Sequence, residues 1–185
     1  REFESHRPDH FSPYPSDSRA QSDMPTADYL IEALRLSPHE EGGWFRRTYE
    51  SEKSLHTDEG SRSLGTSILY LLKSQEVSRL HSLRSDETWY FHQGNPVRIH
   101  SFREGQYRLD LLGNSWANSE MPQRTLCSGT IFGAVSSGDS GFSLVSCSVT
   151  PGFDYADFSW PNVDQMLAEY PLQEDLIRML APPSR

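Results

Sequence analysis

No apolar run in this chain approaches the roughly 20 residues of a membrane helix, so a membrane-spanning helix is set aside and a soluble protein is expected. Basic runs are missing too. With 17 Lys and Arg against 26 Asp and Glu, and a net charge of −9, the chain is a poor partner for nucleic acid or an anionic membrane. The N-terminus has no apolar core of a secretory signal. Cysteine is scarce: Cys127 and Cys147 form no CxxC pair and no metal-ligand spacing. Both lie in apolar, strand-like segments, where buried free thiols and a reducing cytoplasm are expected. No internal repeat of fixed period is present.

What the chain does have is a series of short strands. Residues 1–24 are rich in Ser, Pro, Asp, Arg and His and bury too little apolar surface to offset their ordering, so a flexible tail is expected there. Residues 25–181 read as one domain. A helix begins at Thr26, with Tyr29, Leu30, Ala33, Leu34 and Leu36 near 3.6-residue spacing, and Ser37-Pro38 should end it. Strands follow at Trp44–Tyr49, Ser63–Leu72, Val77–Leu83, Glu87–Gln93, Val97–Phe102, Tyr107–Leu112, Gln123–Cys127, Ile131–Ala134 and Phe142–Val149. The polar stretch Leu55–Arg62 reads as a loop. Two short helices, Val163–Tyr170 and Gln173–Leu180, flank Pro171. This is the spacing of an all-β sandwich or barrel with helical decorations.

Chemistry concentrates in Ser78–Gly94, SRLHSLRSDETWYFHQG. Glu87, Trp89 and Phe91 share one strand face, while Thr88, Tyr90 and His92 share the other. An earlier strand carries His81, and two neighbouring strands could bring its imidazole and the Glu87 carboxylate into one cavity. Two readings stay open for His81: a base or ligand oriented by Glu87, or a structural histidine in a buried hydrogen bond. Glu87 has its own alternative, a salt bridge with Arg79 or Arg84. Trp89, Phe91, Phe132 and Phe153 line either an aromatic pocket or the core. Arg46 or Arg47 pairs with Glu41 or binds a substrate anion. Asp154 and Asp157 follow a Pro-Gly bend near the barrel mouth. His39 and His56 are read as solvated loop residues, while His100 and Gln123 are further groups that could reach the site.

His81, Glu87 and Gly94 resemble the first cupin motif, G-x5-H-x-H-x3-4-E-x6-G, with Leu83 in place of its second His. The second motif, P-x-G-x2-H, falls on Cys127–Phe132, where Gly129 is kept and Phe132 stands for the His. EGGWFRRTY, ILYLL, LHSLRSDETWYFHQGNPV and TPGFDYADF together resemble a single-domain cupin subfamily catalogued as a domain of unknown function and similar to deoxysugar epimerases. The resemblance covers roughly residues 26 to 172. It implies a cupin jelly-roll β-barrel with short flanking helices, an internal pocket and a homodimer. It also implies a divalent metal ion, for which His81 and Glu87 are the ligands that remain. The activity it implies is a sugar isomerase or epimerase, on a sugar phosphate such as glucose 6-phosphate or on a nucleotide sugar. In that reading His81 and Glu87 are catalytic, and Arg46, Arg79, Trp89, Phe91, Gln123, Phe132 and Asp154 bind substrate. The alternative is a non-catalytic cupin that binds a small metabolite.

Overall fold

In the strand β5 (Thr66–Lys73), Ile68, Tyr70 and Leu72 face one way and Leu69 and Leu71 the other, and both sets are apolar. A strand apolar on both faces must be covered on both. The structure, a computed structural model, describes residues 25–58 and 60–182; the tail expected over residues 1–24 lies outside them. Two antiparallel sheets provide most of the cover. One has the order β1 (Ser37–Pro38), β2 (Trp44–Glu50), β5, β12 (Phe142–Thr150), β7 (Asp86–Gly94) and β10 (Gln123–Leu126). The other has the order β13 (Phe158–Ser159), β6 (Val77–Leu83), β11 (Ile131–Ser136), β8 (Val97–Arg103) and β9 (Gln106–Leu112). Strands distant in sequence lie side by side, so the chain is an all-β jelly roll with short helices.

Between the sheets, Tyr70, Leu72, Trp89, Val145 and Cys147 meet Val97, Ile99, Leu112, Phe132 and Ala134. Burying each large apolar side chain contributes about 1.5–3 kcal/mol. Helix α1 (Ala27–Ala33) covers the outer face of the larger sheet through Leu30, with Leu36 just beyond it. Helices α2 (Val163–Glu169) and α3 (Glu174–Leu180) cover the smaller sheet through Met166, Ile177 and Leu180, against Leu80 and Phe102.

Three expectations need correction. Helix α1 stops at Ala33 rather than running to Ser37-Pro38. Arg35 turns left-handed, at φ 53°, and the Leu36 N–H closes back on the Ile31 carbonyl at 2.8 Å. Ser37–Pro38 is then free to pair with Phe45 and Trp44. The loop expected over Leu55–Arg62 is instead a hairpin, β3 (Ser54–Thr57) with β4 (Gly60–Ser63). It places Arg62 against Asp157 in a buried two-bond pair, at 2.7 and 2.9 Å. Of the two free cysteines only Cys147 is buried, and Cys127 is exposed.

Candidate active site

A cavity of about 290 Å³ opens between the sheets. Parity selects its walls. From β2 come Phe45 and Arg47, from β5 Thr66 and Ile68, from β6 Leu83, from β7 Glu87, and from β12 Cys147 and Val149. The loops supply His39, Glu41, Phe153 and Tyr155. The turn carrying His39 and Glu41 depends on glycine: Gly42 and Gly43 have φ of 102° and 70°, and a Cβ on Gly42 would strike the Val77 carbonyl. Three bonds pin this turn. The Tyr70 hydroxyl donates to the Gly42 carbonyl at 2.7 Å, the Arg79 N–H to the Glu41 carbonyl at 2.8 Å, and the His39 N–H to the Gly43 carbonyl at 2.9 Å. Across the opening, the Phe153 N–H donates to Thr66 Oγ1 at 3.0 Å and holds the aromatic segment in place.

Inside lie two carboxyls that the fold keeps from water. Glu41 is 8% exposed and Glu87 7%. Burial raises the Glu41 pKa well above the usual carboxylate range, and the charges of Glu87 and Glu40 push the same way. Burial raises Glu87 to about 7, while the facing Cys147 thiol and Trp89 indole pull it down. Near neutral pH Glu87 is therefore close to half ionised, and burial beside it disfavours a charge on Glu41. The Cys147 thiol is itself pushed up, by burial and then by the Glu87 charge.

His81 lies one layer deeper, 1% exposed, with Phe132 at 4.2 Å and Phe158 at 5.6 Å between ring centroids. Its Nδ1–H donates to the Arg79 carbonyl at 2.7 Å, which leaves Nε2 bare. The carboxyl beside Nε2 is Glu41, at 3.5 Å, rather than the expected Glu87. Burial lowers the His81 pKa to about 4 despite the carbonyl bond, so the ring is neutral at pH 7. It meets the cavity through Glu41 rather than as a wall residue.

The other expected site residues divide by strand face. Trp89 and Phe132 are core residues, and Phe91 packs against that core. Arg46 is exposed, because Phe45 and Arg47 take the inward face of β2. Arg79 turns outward at a bulge in the β6–β11 pairing and donates to the Ala181 carbonyl at 2.8 Å. Gln123 is exposed opposite Tyr90, and His92 is exposed with its Nε2 2.8 Å from Ser146 Oγ. Asp154 caps the short turn Tyr155–Asp157, accepting from the Ala156 N–H at 2.8 Å. His100 is buried on the outer face of β8 against Tyr107, at 2.9 Å.

His39, read from the sequence as solvated, is instead a cavity residue with a side chain 14% exposed. Arg47 sits at the rim, bonded to Glu50 at 2.9 Å and 6.0 Å from the Phe153 ring centroid. Neither Arg46 nor Arg47 pairs with Glu41. Sequence reasoning also missed Glu41 as an inner carboxyl, Cys147 as its neighbour and Tyr155 at the rim. The alternation of β2 and the Gly42-Gly43 pair were the available signals.

The residues do not fit the metal that the motif implies. Leu83 lines the cavity where a second His would stand, and Phe132 packs on His81 instead of supplying the last imidazole. No group of three or more His, Cys, Asp or Glu among the described residues is placed to hold a metal ion. Likewise, no helix among the described residues is long and apolar enough to cross a membrane.

Two facing antiparallel sheets around an internal site, with His81 and Glu87 at motif spacing on adjacent segments, define a cupin barrel. The chain belongs to the cupin superfamily: the family described as Cupin superfamily (DUF985) matches residues 28–160. It is similar to a solved hypothetical protein from Leishmania major, at 35% identity and a TM-score of 0.79 over 86% of this chain and 100% of that one. A protein from Shewanella oneidensis is 39% identical, with a TM-score of 0.79 over 87% of this chain and 100% of that one. Oxalate decarboxylase from Bacillus subtilis, at 15% identity and a TM-score of 0.50 over 80% of this chain and 37% of that one, shares the fold alone. No curated protein matches the chain.

Proposed function

We propose that this protein is a sugar isomerase or epimerase that moves a proton at a carbon next to a carbonyl, with Glu87 as the base. The observation that carries this reading is a carboxyl with a pKa of about 7 inside a cavity of about 290 Å³. A base works best when its pKa lies near the working pH. In the forward step the Glu87 carboxylate takes the carbon-bound proton. The C–H electron pair becomes the new C=C bond, and the carbonyl π pair moves onto oxygen. The proton of the adjacent hydroxyl passes to the former carbonyl oxygen, the new carbonyl forms at the hydroxyl-bearing carbon, and the C=C pair takes the proton back from Glu87 at the former carbonyl carbon. Burial and the Glu87 charge both disfavour the ionised form of Glu41 beside the bare Nε2 of His81, which works against a second negative charge in the cavity when the enediolate forms.

Size and charge narrow the substrate. Sites for drug-sized ligands run to about 300–1,000 Å³, so this cavity suits one sugar-sized molecule and cannot enclose a whole nucleotide sugar. Phe45, Phe153 and Tyr155 offer apolar faces to C–H groups, and Arg47 is the one Arg or Lys among the lining residues. A sugar phosphate such as glucose 6-phosphate would put its reacting end beside Glu87 and its phosphate at Arg47. The test is turnover of glucose 6-phosphate, fructose 6-phosphate and their unphosphorylated sugars, with Glu87→Gln alongside. Loss of at least about 100-fold in the variant is expected, and equal activity would remove Glu87 from the reaction. The second reading, a metabolite-binding cupin without chemistry, draws on the aromatic rim; sugar-dependent thermal stabilisation without turnover would favour it.

A further inference from the structure

A base next to a forming enediolate needs a partner that holds the oxygen, and most donors around this cavity are occupied. The Tyr70 hydroxyl is committed to the Gly42 carbonyl; Thr66 Oγ1 accepts from the Phe153 N–H across the opening, and its O–H is a further donor on the wall, without an aromatic plane to fix it. The Cys147 thiol faces Glu87. Arg47 and Tyr155 stand at the rim, Arg47 already on Glu50. The Trp89 indole N–H faces the Glu87 carboxyl, whose pKa it lowers, and Trp89 does not line the cavity.

His39 differs from all of these. Its Nδ1 accepts the Glu41 N–H at 3.2 Å, so the proton of the neutral ring sits on Nε2. Among the described residues no acceptor meets that Nε2–H, and the ring lines the cavity. Phe45 and Tyr70 fix its plane by edge contacts at 4.5 and 5.7 Å. Resting on the isomerase reading above, we infer that His39 holds the substrate carbonyl oxygen from Nε2–H and stabilises the enediolate formed when Glu87 removes the proton. The substrate class is thereby an aldehyde or ketone with a neighbouring hydroxyl, its carbonyl end inside the cavity.

Titration agrees with this geometry. Burial lowers the His39 pKa to about 4, so the ring stays neutral through the pH range in which Glu87 ionises. The titratable groups beside it are Glu41, Tyr70 and His81. A neutral imidazole N–H is a suitable electrophile for such an oxygen because it gains from the developing charge without holding the substrate as an ion pair.

The experiment has two parts. Long-range ¹H–¹⁵N correlation spectra of the labelled protein should show His39 as the neutral Nε2–H tautomer at pH 7, with its signals displaced by acetohydroxamic acid, a small mimic of an enediol that is uncharged at that pH. An Nδ1–H tautomer, an imidazolium at pH 7, or no displacement overturns the inference, whatever the enzyme turns over. In the sugar panel, His39→Ala should lower kcat by about 100-fold or more with KM changed far less. His39→Gln, which returns an N–H near the Nε2 position, should recover at least about tenfold of that loss. If the wild type is active and His39→Ala is folded with unchanged kcat, His39 is not the electrophile and the isomerase reading stands. If the wild type turns over nothing in the panel, the isomerase reading fails, and the spectra still decide whether His39 is the donor.

Discussion

Replacing Glu87 by Gln keeps the shape of the side chain and removes its titration. In the folded protein the Glu87 pKa rises from 4.5 to about 7, chiefly through burial. Between those values the folded state still holds the proton while the unfolded chain has released it. Stability from this group is therefore fully present below about pH 4.5 and is lost as pH rises through about 7. At about 1.4 kcal/mol per pKa unit the loss comes to roughly 3 kcal/mol. His39 and His81 act the other way: their pKa values fall from 6.5 to about 4, so they add stability as pH rises across that window. The histidines are common to both proteins, so the difference between wild type and Glu87→Gln isolates the carboxyl. Thermal or urea unfolding at pH 5, 6, 7 and 8 should show the variant gaining on the wild type as pH rises. The gain should approach about 3 kcal/mol at pH 8, or about 6–12 °C for a domain of this size. A difference that stays flat with pH would refute a raised Glu87 pKa.

Other perturbations probe the parts that hold the site. Arg62→Ala leaves the Asp157 carboxylate buried without its two-bond partner and should cost about 3–5 kcal/mol, read as a lower urea midpoint. Gly42→Ala, at φ 102° and against the Val77 carbonyl, should lower stability by at least about 1 kcal/mol and shift the NMR signals of His39 and Glu41. In the native protein Cys127 should react with a thiol reagent within minutes, while Cys147, buried and with its pKa raised, should react only after denaturation. Dialysis against EDTA should leave the melting temperature unchanged, because the residues at the motif positions do not form a metal cage.

The strands were legible because their pattern is local. Val77–Leu83 was read at its observed bounds, and Val97, Ile131 and Phe142 each begin the strand expected of them. The inward face of β7 followed from period-two alternation, and His92 is exposed despite the bulge beside it. What the sequence could not show is which distant segments share the cavity. Glu41 and Glu87 lie 46 positions apart, and they converge because the Gly42-Gly43 turn folds back against Tyr70 and Arg79. The motif made Glu87 the natural partner of His81, yet the bare Nε2 faces the carboxyl delivered by that turn. Arg46 and Arg47 are equivalent in composition, and only the register of β2 on β5 sends the second toward the cavity. The hairpin over Ser54–Ser63 was missed because its residues are mostly polar and exposed, so no hydrophobic alternation marks it.

Proton transfer by Glu87 is most directly tested by solvent exchange. Each sugar and sugar phosphate of the panel is incubated with the protein in D₂O, and the carbon next to the carbonyl is followed by ¹H NMR and mass spectrometry. For at least one of them the wild type should introduce a single deuterium at that carbon, and Glu87→Gln should introduce it at least about 100-fold more slowly. Absence of exchange in every compound, or exchange at the wild-type rate in Glu87→Gln, would contradict the assignment of Glu87 as the base.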